Sequence, residues 1–439
     1  KRQHMDFNFR TLNYLGSKFR LLDFIEENIR CITPTNGGVC DLFAGSGCVS
    51  YKLSKTFNVT SCDIQAYSII ICDALLNKHN VNENDIATFV TSIRNNSRKL
   101  KEAFQPLILT EHNAIEHKDI KTLSEILEYG SVEVFRIEAF ESSLSRLQEN
   151  VIMFLEHNNL MHKPSVISRY YGGVYFSYEQ AVDIDVIWNA IRQINDITKK
   201  HLYLSALLST ASDIVNTVGK HFAQPIKAKD SKGNIKGLVY NKAIKDKTIQ
   251  VLPLFEQWLR KYILLPKSDL KHTSMQGDFM DCLSTLPDSV NTVYADPPYT
   301  RDHYSRFYHV LETIALDDEP EISTVKIHGI TRVSNGIYRK DRHQSPFCIK
   351  SQAPKAFLDM FRVIADSKRN ILLSYSPYDE TKKTHPRVVT LSQLISWASE
   401  YFTDVEIVSA GHFTHNKLNS TSHLLEASDE AEVLIVCTN

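Results

Sequence analysis

No run of about 18 apolar residues occurs in this chain, so no segment is a candidate membrane span. The opening stretch, Lys1 to Arg10, is polar and lacks the apolar core of a secretory signal. Met5 is expected to be the natural start, with Lys1 to His4 added ahead of it, and the chain is expected to be cytoplasmic. Cysteine occurs eight times but never as C-x-x-C. Cys31, Cys40, Cys48, Cys62, Cys72, Cys282, Cys348 and Cys437 are scattered, several inside apolar runs, and read as reduced core residues. The 17 histidines form no H-E-x-x-H cluster, so no metal is expected. An excess of either charge is missing too: the net charge is −1, nothing global attracts a polyanion, and any nucleic-acid contact must be local. Repeats and low-complexity tracts are also absent.

What remains is an ordinary globular composition, 43% hydrophobic and 23% charged, over 439 residues, enough for one large or two medium domains. Phe19, Leu22, Ile25 and Ile29 recur at helical spacing and stop at Pro34, Gly37 and Gly38. Val39 to Phe43 then reads as a strand, Ala44 to Gly47 as a tight turn, and Val49 with Leu53 as the start of a helix. Phe57 to Cys62 predicts a second strand ending at Asp63, followed by a helix over Tyr67 to Leu76. This alternation implies a parallel α/β sheet. From about Asn80 to Asp269 it gives way to amphipathic helices, such as Ile120 to Leu127, Leu144 to Leu155 and Val186 to Ile194, broken by a Gly- and Tyr-rich patch from Tyr170 to Tyr178. The α/β pattern returns with strands over Val290 to Ala295, Ile371 to Ser374, Val405 to Val408 and Val433 to Thr438, and helices over Phe307 to Leu316 and Leu391 to Phe402.

Three segments carry chemistry. In Asp41-Leu-Phe-Ala-Gly-Ser-Gly47, two glycines lie between a strand end and a helix start, where backbone can approach a ligand. The third glycine of a dinucleotide fingerprint is absent, since Ser50 holds that position; the turn fits a nucleoside ligand or a plain tight turn. Asp63 closes the next strand, where a carboxylate can accept both hydroxyls of a ribose or cap the following helix. Asp296-Pro297-Pro298-Tyr299 ends the strand Val290 to Ala295. An amino nitrogen conjugated to an adenine ring is a poor nucleophile unless acceptors hold its hydrogens. The Asp296 carboxylate and Pro297 carbonyl would supply two, stiffened by the diproline, with Tyr299 stacked on a base flipped from the duplex.

Taken in order, these motifs resemble the Dam-type N6-adenine-specific DNA methyltransferase family. The family's opening motif matches Asn13-Tyr-Leu-Gly-Ser-Lys18, its glycine turn Phe43 to Gly47, its acidic residue Asp63, its G-D-F segment Gly277-Asp-Phe279, and its tetrapeptide Asp296 to Tyr299. The resemblance covers roughly residues 11–77 and 274–316. It implies a class I S-adenosylmethionine-dependent methyltransferase sheet, Rossmann-like, over residues 1–79 and 270–439, with an inserted, mostly helical target-recognition domain over 80–269. It further implies that Tyr14, Lys18, Phe43, Gly45, Gly47, Asp63, Asp278 and Phe279 hold S-adenosyl-L-methionine, Lys18 meeting its carboxylate, Asp63 its ribose, and Asp278 with Phe279 its adenine. Asp296, Pro297, Pro298 and Tyr299 would be catalytic.

The expected partners are double-stranded DNA and a possible cognate restriction endonuclease, with no membrane. Phosphate contacts have two candidate sources, Lys227, Lys229, Lys232, Lys236, Lys242, Lys245 and Lys247, and a second basic group running through Arg332, Arg339, Lys340, Arg342, His343 and Lys350; by charge alone each reads as a solvated loop. Thr300 to Tyr308 adds an aromatic and basic surface with Arg301, His303, Tyr304 and Arg306, continuing to His309. A cytosine C5 enzyme is excluded because no Pro-Cys dipeptide supplies its nucleophile. Transfer to cytosine N4 or to RNA adenine stays open, as does a catalytically silent DNA-binding regulator.

Overall fold

The computed structural model describes residues 9–14, 18–298, 304–376, 387–409, 416–417 and 432–439. Ten strands occur among them: β1 (Gly38–Asp41), β2 (Asn58–Asp63), β3 (Thr273–Gln276), β4 (Val290–Ala295), β5 (Thr324–Ile327), β6 (Ile330–Val333), β7 (Asn370–Tyr375), β8 (Asp404–Ser409), β9 (Asn416–Lys417) and β10 (Val433–Thr438). Eight form one sheet in the order β3-β2-β1-β4-β7-β10-β8-β9, and β5 with β6 makes a separate hairpin. Neighbours from β3 to β7 run parallel, while β10 is antiparallel to both β7 and β8. The parallel sheet expected from the first strands is present from β3 to β7, and the later strands make the whole sheet a mixed one.

Both faces of this sheet are covered. Cys40, Leu42, Val293, Ile371 and Leu373 share one buried cluster with Phe357, Met360, Phe361 and Ile364 of the helix Ala353–Asp366, and with Leu394 of the helix Leu391–Ser399. Asp41, one residue out of phase, turns the other way, and Ser50 on the helix Cys48–Leu53 donates to its carboxylate at 2.7 Å. The helix Leu22–Ile32 lies along β4 and β7, its Ile32 carbonyl accepting from the Asn370 amide at 2.7 Å. Two-sided burial explains the near-continuous apolar runs of the central strands.

The chain divides into two compact units, residues 1–78, 266–305 and 343–439, and residues 79–265 and 306–342. The first holds the large sheet. The second is helical, with the long helices Arg98–Glu116, Tyr178–Arg192 and Ile197–Ile214 around Tyr171, Tyr175, Tyr178, Trp188 and Tyr203, all buried. Segment 306–342, which the pattern placed with the sheet, groups with this second unit. Its backbone is stitched there: Phe222 N–H donates to the Phe307 carbonyl at 2.8 Å, and the His309 ring meets the Phe222 carbonyl at 3.2 Å. Two further elements, β3 and the helix Ala353–Asp366, were not foreseen; β3 is short, polar and at the sheet edge, and lacks an apolar run. Among the described residues, no helix is long and apolar enough to cross a membrane.

Candidate active site

A cleft with about 1010 Å³ of empty space opens in the first unit at the carboxyl ends of β1, β2, β3 and β4, where open α/β sheets bind their ligands. Leu42 and Phe43 follow β1, Asp63 ends β2, Gly277 to Phe279 follow β3, and Asp296 to Pro298 follow β4. Tyr14 and Lys18 line it as well, so residues separated by nearly 300 positions converge. Tyr299, along with Leu15, Gly16 and Ser17 of the opening motif, lies outside the described residues.

Asp63 is held by backbone. Gly45 N–H donates to its Oδ2 and Gln65 N–H to its Oδ1, each at 2.9 Å. Burial nonetheless pushes its carboxyl above the ordinary value, these hydrogen bonds working against the rise. Asp63 does not cap the helix Ala66–Leu76, whose N-cap is Gln65; it ties the glycine turn to that residue while lining the cleft.

Neither Gly45 nor Gly47 is among the residues lining the cleft, and each stands close to a side chain. Gly45 has φ +53°, and a Cβ there would stand 2.8 Å from the Tyr14 hydroxyl. Gly47 has φ +76°, and its Cβ would meet Leu75 at 2.8 Å. Close approach is required by protein packing: Gly45 lets the Tyr14 ring lie against the turn, and Thr11 fastens the same segment by donating to the Ser46 carbonyl at 2.8 Å. Tyr14 in turn stacks on Tyr304 with centroids 5.9 Å apart.

One wall is aromatic. Phe279 packs on Phe43 at 6.4 Å and edge-on to Phe347 at 4.9 Å, and Phe43 meets Phe347 edge-on at 5.4 Å. Asp278 caps the helix Phe279–Thr285 by accepting from Met280 N–H at 2.8 Å and Asp281 N–H at 3.2 Å. Phe347 was missed: it sits on a short turn, Pro346–Cys348, inside a stretch whose basic residues dominate the sequence reading. The adjacent Cys348 thiol donates to the Pro298 carbonyl at 3.7 Å, bracing the diproline.

The charged end of the cleft holds contacts that the sequence did not show. The Lys18 ammonium stands between two carboxylates, 3.2 Å from Asp296 and 2.5 Å from Glu432, with only 6% of its side chain exposed. Glu432, immediately before β10, also accepts from the Ser374 hydroxyl of β7 at 2.7 Å. Glu432 was unreadable from sequence, because no motif surrounds it and only the β7–β10 pairing carries it to Lys18. Asp296 is pushed up to about 6: burial and the neighbouring Glu432 raise it, while Lys18 pulls it back.

A hydrophobic slot, a fixed carboxylate beside a glycine turn, and an acceptor behind a stiff diproline suit an adenosyl cofactor at one end and a planar amine at the other. The comparisons agree with this geometry. The model of the D12 class N6 adenine-specific DNA methyltransferases matches residues 14–161 and 240–340. Modification methylase LlaI of Lactococcus lactis subsp. lactis is 24% identical, the match covering 97% of this chain and 54% of that protein. Type II methyltransferase M.FokI of Planomicrobium okeanokoites is 26% identical over 83% of this chain and 44% of its own length. For type II methyltransferase M.CviAII of Paramecium bursaria Chlorella virus 1 the figures are 23%, 83% and 83%. The chain thus spans about half the length of the first two relatives. With more than half of its residues inside the family model and the site assembled as described, this chain belongs to the D12 class N6 adenine-specific DNA methyltransferase family.

Proposed function

We propose that this chain transfers a methyl group from S-adenosylmethionine to the N6 amino group of adenine at a defined site in duplex DNA, as the modification partner of a restriction system. The observation that carries the reading is Asp296, set behind Pro297 and Pro298 at the end of a buried strand and facing the cleft beside Lys18. The names of the relatives, a modification methylase and two type II methyltransferases, support the restriction–modification setting.

The residues fit the cofactor. Asp63 would accept its ribose hydroxyls, the Phe43, Phe279 and Phe347 wall would hold its adenine, and Tyr14 would cover its methionine end. When bound, S-adenosylmethionine supplies an electrophilic methyl on sulfonium. The chain's own part is to hold the amine. Asp296 and the Pro297 carbonyl accept its two hydrogens, leaving the nitrogen lone pair free to attack, and the flipped base stacks on Tyr299. Lys18 keeps Asp296 ionised, which the acceptor role requires. The second, helical unit, with the hairpin β5–β6, serves target recognition in this reading.

The test is transfer of labelled methyl to duplex DNA, followed by digestion to nucleosides and chromatography. Label in N6-methyladenine, lost in Asp296→Asn with cofactor binding retained, is the expected result. Label in N4-methylcytosine, or only in RNA, would overturn it.

A further inference from the structure

Six of the thirteen basic residues in the two segments are engaged in ion pairs within the second unit. Lys247 is buried against Glu111 at 2.6 Å, Lys242 pairs with Asp246 at 3.2 Å and Lys229 with Glu128 at 2.9 Å. Arg339 pairs with Asp318 at 2.5 Å, Lys340 with Glu321 at 2.7 Å and Arg332 with Glu138 at 3.8 Å. Two arginines differ in sharing one aromatic ring. The guanidinium carbon of Arg306 lies 5.4 Å from the centroid of the Tyr338 ring and that of Arg342 lies 4.8 Å from it. Neither has a carboxylate partner among the described residues, and Nη1 of Arg342 is buried with no hydrogen-bond partner there.

Two guanidinium groups on one aromatic ring repel each other, and an anion bridging them would relieve that repulsion. Burial, with Arg306 adding to it, pushes Arg342 below its ordinary value, whereas Arg339, buried as well, is raised because Asp318 outweighs burial. The Tyr338 platform is itself fixed, since its hydroxyl donates to the Ala223 carbonyl and its ring meets His309 edge-on at 5.2 Å. Each guanidinium is a planar fork of donors, the geometry that grips a phosphate.

We infer that Arg306, Arg342 and Tyr338 form a phosphate clamp that takes one backbone phosphodiester of the DNA substrate. This rests on the DNA reading above. Arg306 follows Asp296 by ten residues along the chain. The clamp positions the duplex and reads no base.

The test measures duplex binding by fluorescence anisotropy across a salt series for the full chain, Arg306→Gln/Arg342→Gln and Arg306→Lys/Arg342→Lys. The glutamine pair should weaken binding roughly ten- to a hundred-fold and lower the log–log salt slope by about 0.9, the value of one phosphate; the lysine pair should restore the slope. Cofactor binding by calorimetry should be unchanged in both. In the unaltered chain, one neutral methylphosphonate in a scan should cost as much as the glutamine pair and should cost that pair nothing further; if the glutamine pair is poorly expressed, the lysine pair should lose affinity at that same methylphosphonate, and loss at no position would overturn the clamp. An unchanged affinity and slope with tight binding by the unaltered chain would overturn the clamp alone. Broadening of the inorganic phosphate NMR signal that depends on both arginines, with duplex binding unaffected, would also overturn it, assigning the site to free phosphate. Failure of the unaltered chain to bind any duplex while still binding cofactor would overturn the DNA reading and the clamp with it.

Discussion

Replacing Lys18 with Met tests the charged end of the cleft. The substitution keeps a long unbranched side chain and removes the one cation that stands 3.2 Å from Asp296 and 2.5 Å from Glu432. Deleting one partner of a buried ion pair costs about 3–5 kcal/mol. Asp296 and Glu432 keep 21% and 18% exposure toward the cleft, which favours the lower end, about 3 kcal/mol. Because 1.36 kcal/mol corresponds to one pKa unit, that loss would carry Asp296 from about 6 toward roughly 8. The sign follows from the raised carboxyl: ionising Asp296 in the fold costs stability as pH rises from its ordinary 3.8 through about 6, and in Lys18→Met the cost continues to roughly pH 8. Urea unfolding should therefore show a small deficit at about pH 5 and the full deficit above pH 8. The acid limb of methyl transfer should move upward by the same interval. Adding Glu432→Gln should recover much of the loss, since one carboxylate is then left alone. Equal deficits at both pH values, or no recovery in the double variant, would refute the argument.

Asp63→Ala should weaken S-adenosylmethionine binding by about 1.5–3 kcal/mol per charged hydrogen bond removed, read by calorimetry; unchanged affinity would leave Asp63 as only the brace between Gly45 and Gln65. Gly45→Ala forces φ +53° on a residue with a Cβ that would press on Tyr14, so thermal unfolding should show a loss of about 1–3 kcal/mol and cofactor affinity should fall with it. Neutralising Lys227 and Lys232, both exposed, together with the half-buried Lys236 should lower the log–log salt slope of DNA binding by about 0.9 for each phosphate these lysines meet, whereas Lys247→Gln should cost stability, because its partner Glu111 is buried.

The amino-acid sequence by itself determined which short, contiguous motifs lie at strand ends and so meet at one cleft. Asp63, Gly277 to Phe279 and Asp296 to Pro298 each follow a strand whose end fixes where the next few residues emerge, so all of them reach the cleft. The paired glycines were legible because they interrupt an apolar run, while their packing on Tyr14 and Leu75 and the N–H that Gly45 presents to Asp63 were not. Tertiary structure alone decided the rest, because the remaining interactions join segments that share no local signal. Glu432 reaches Lys18 across 414 positions through the antiparallel insertion of β10 beside β7. Phe347 closes the aromatic wall from a turn that the surrounding basic residues disguised. The basic clusters show the limit most plainly: composition counts charges, but only the fold reveals that Lys247 and Arg339 are already matched to carboxylates while Arg306 and Arg342 share a tyrosine ring. Net electrostatics depend on distances through space, and those are set by which helices and strands bury their apolar faces together.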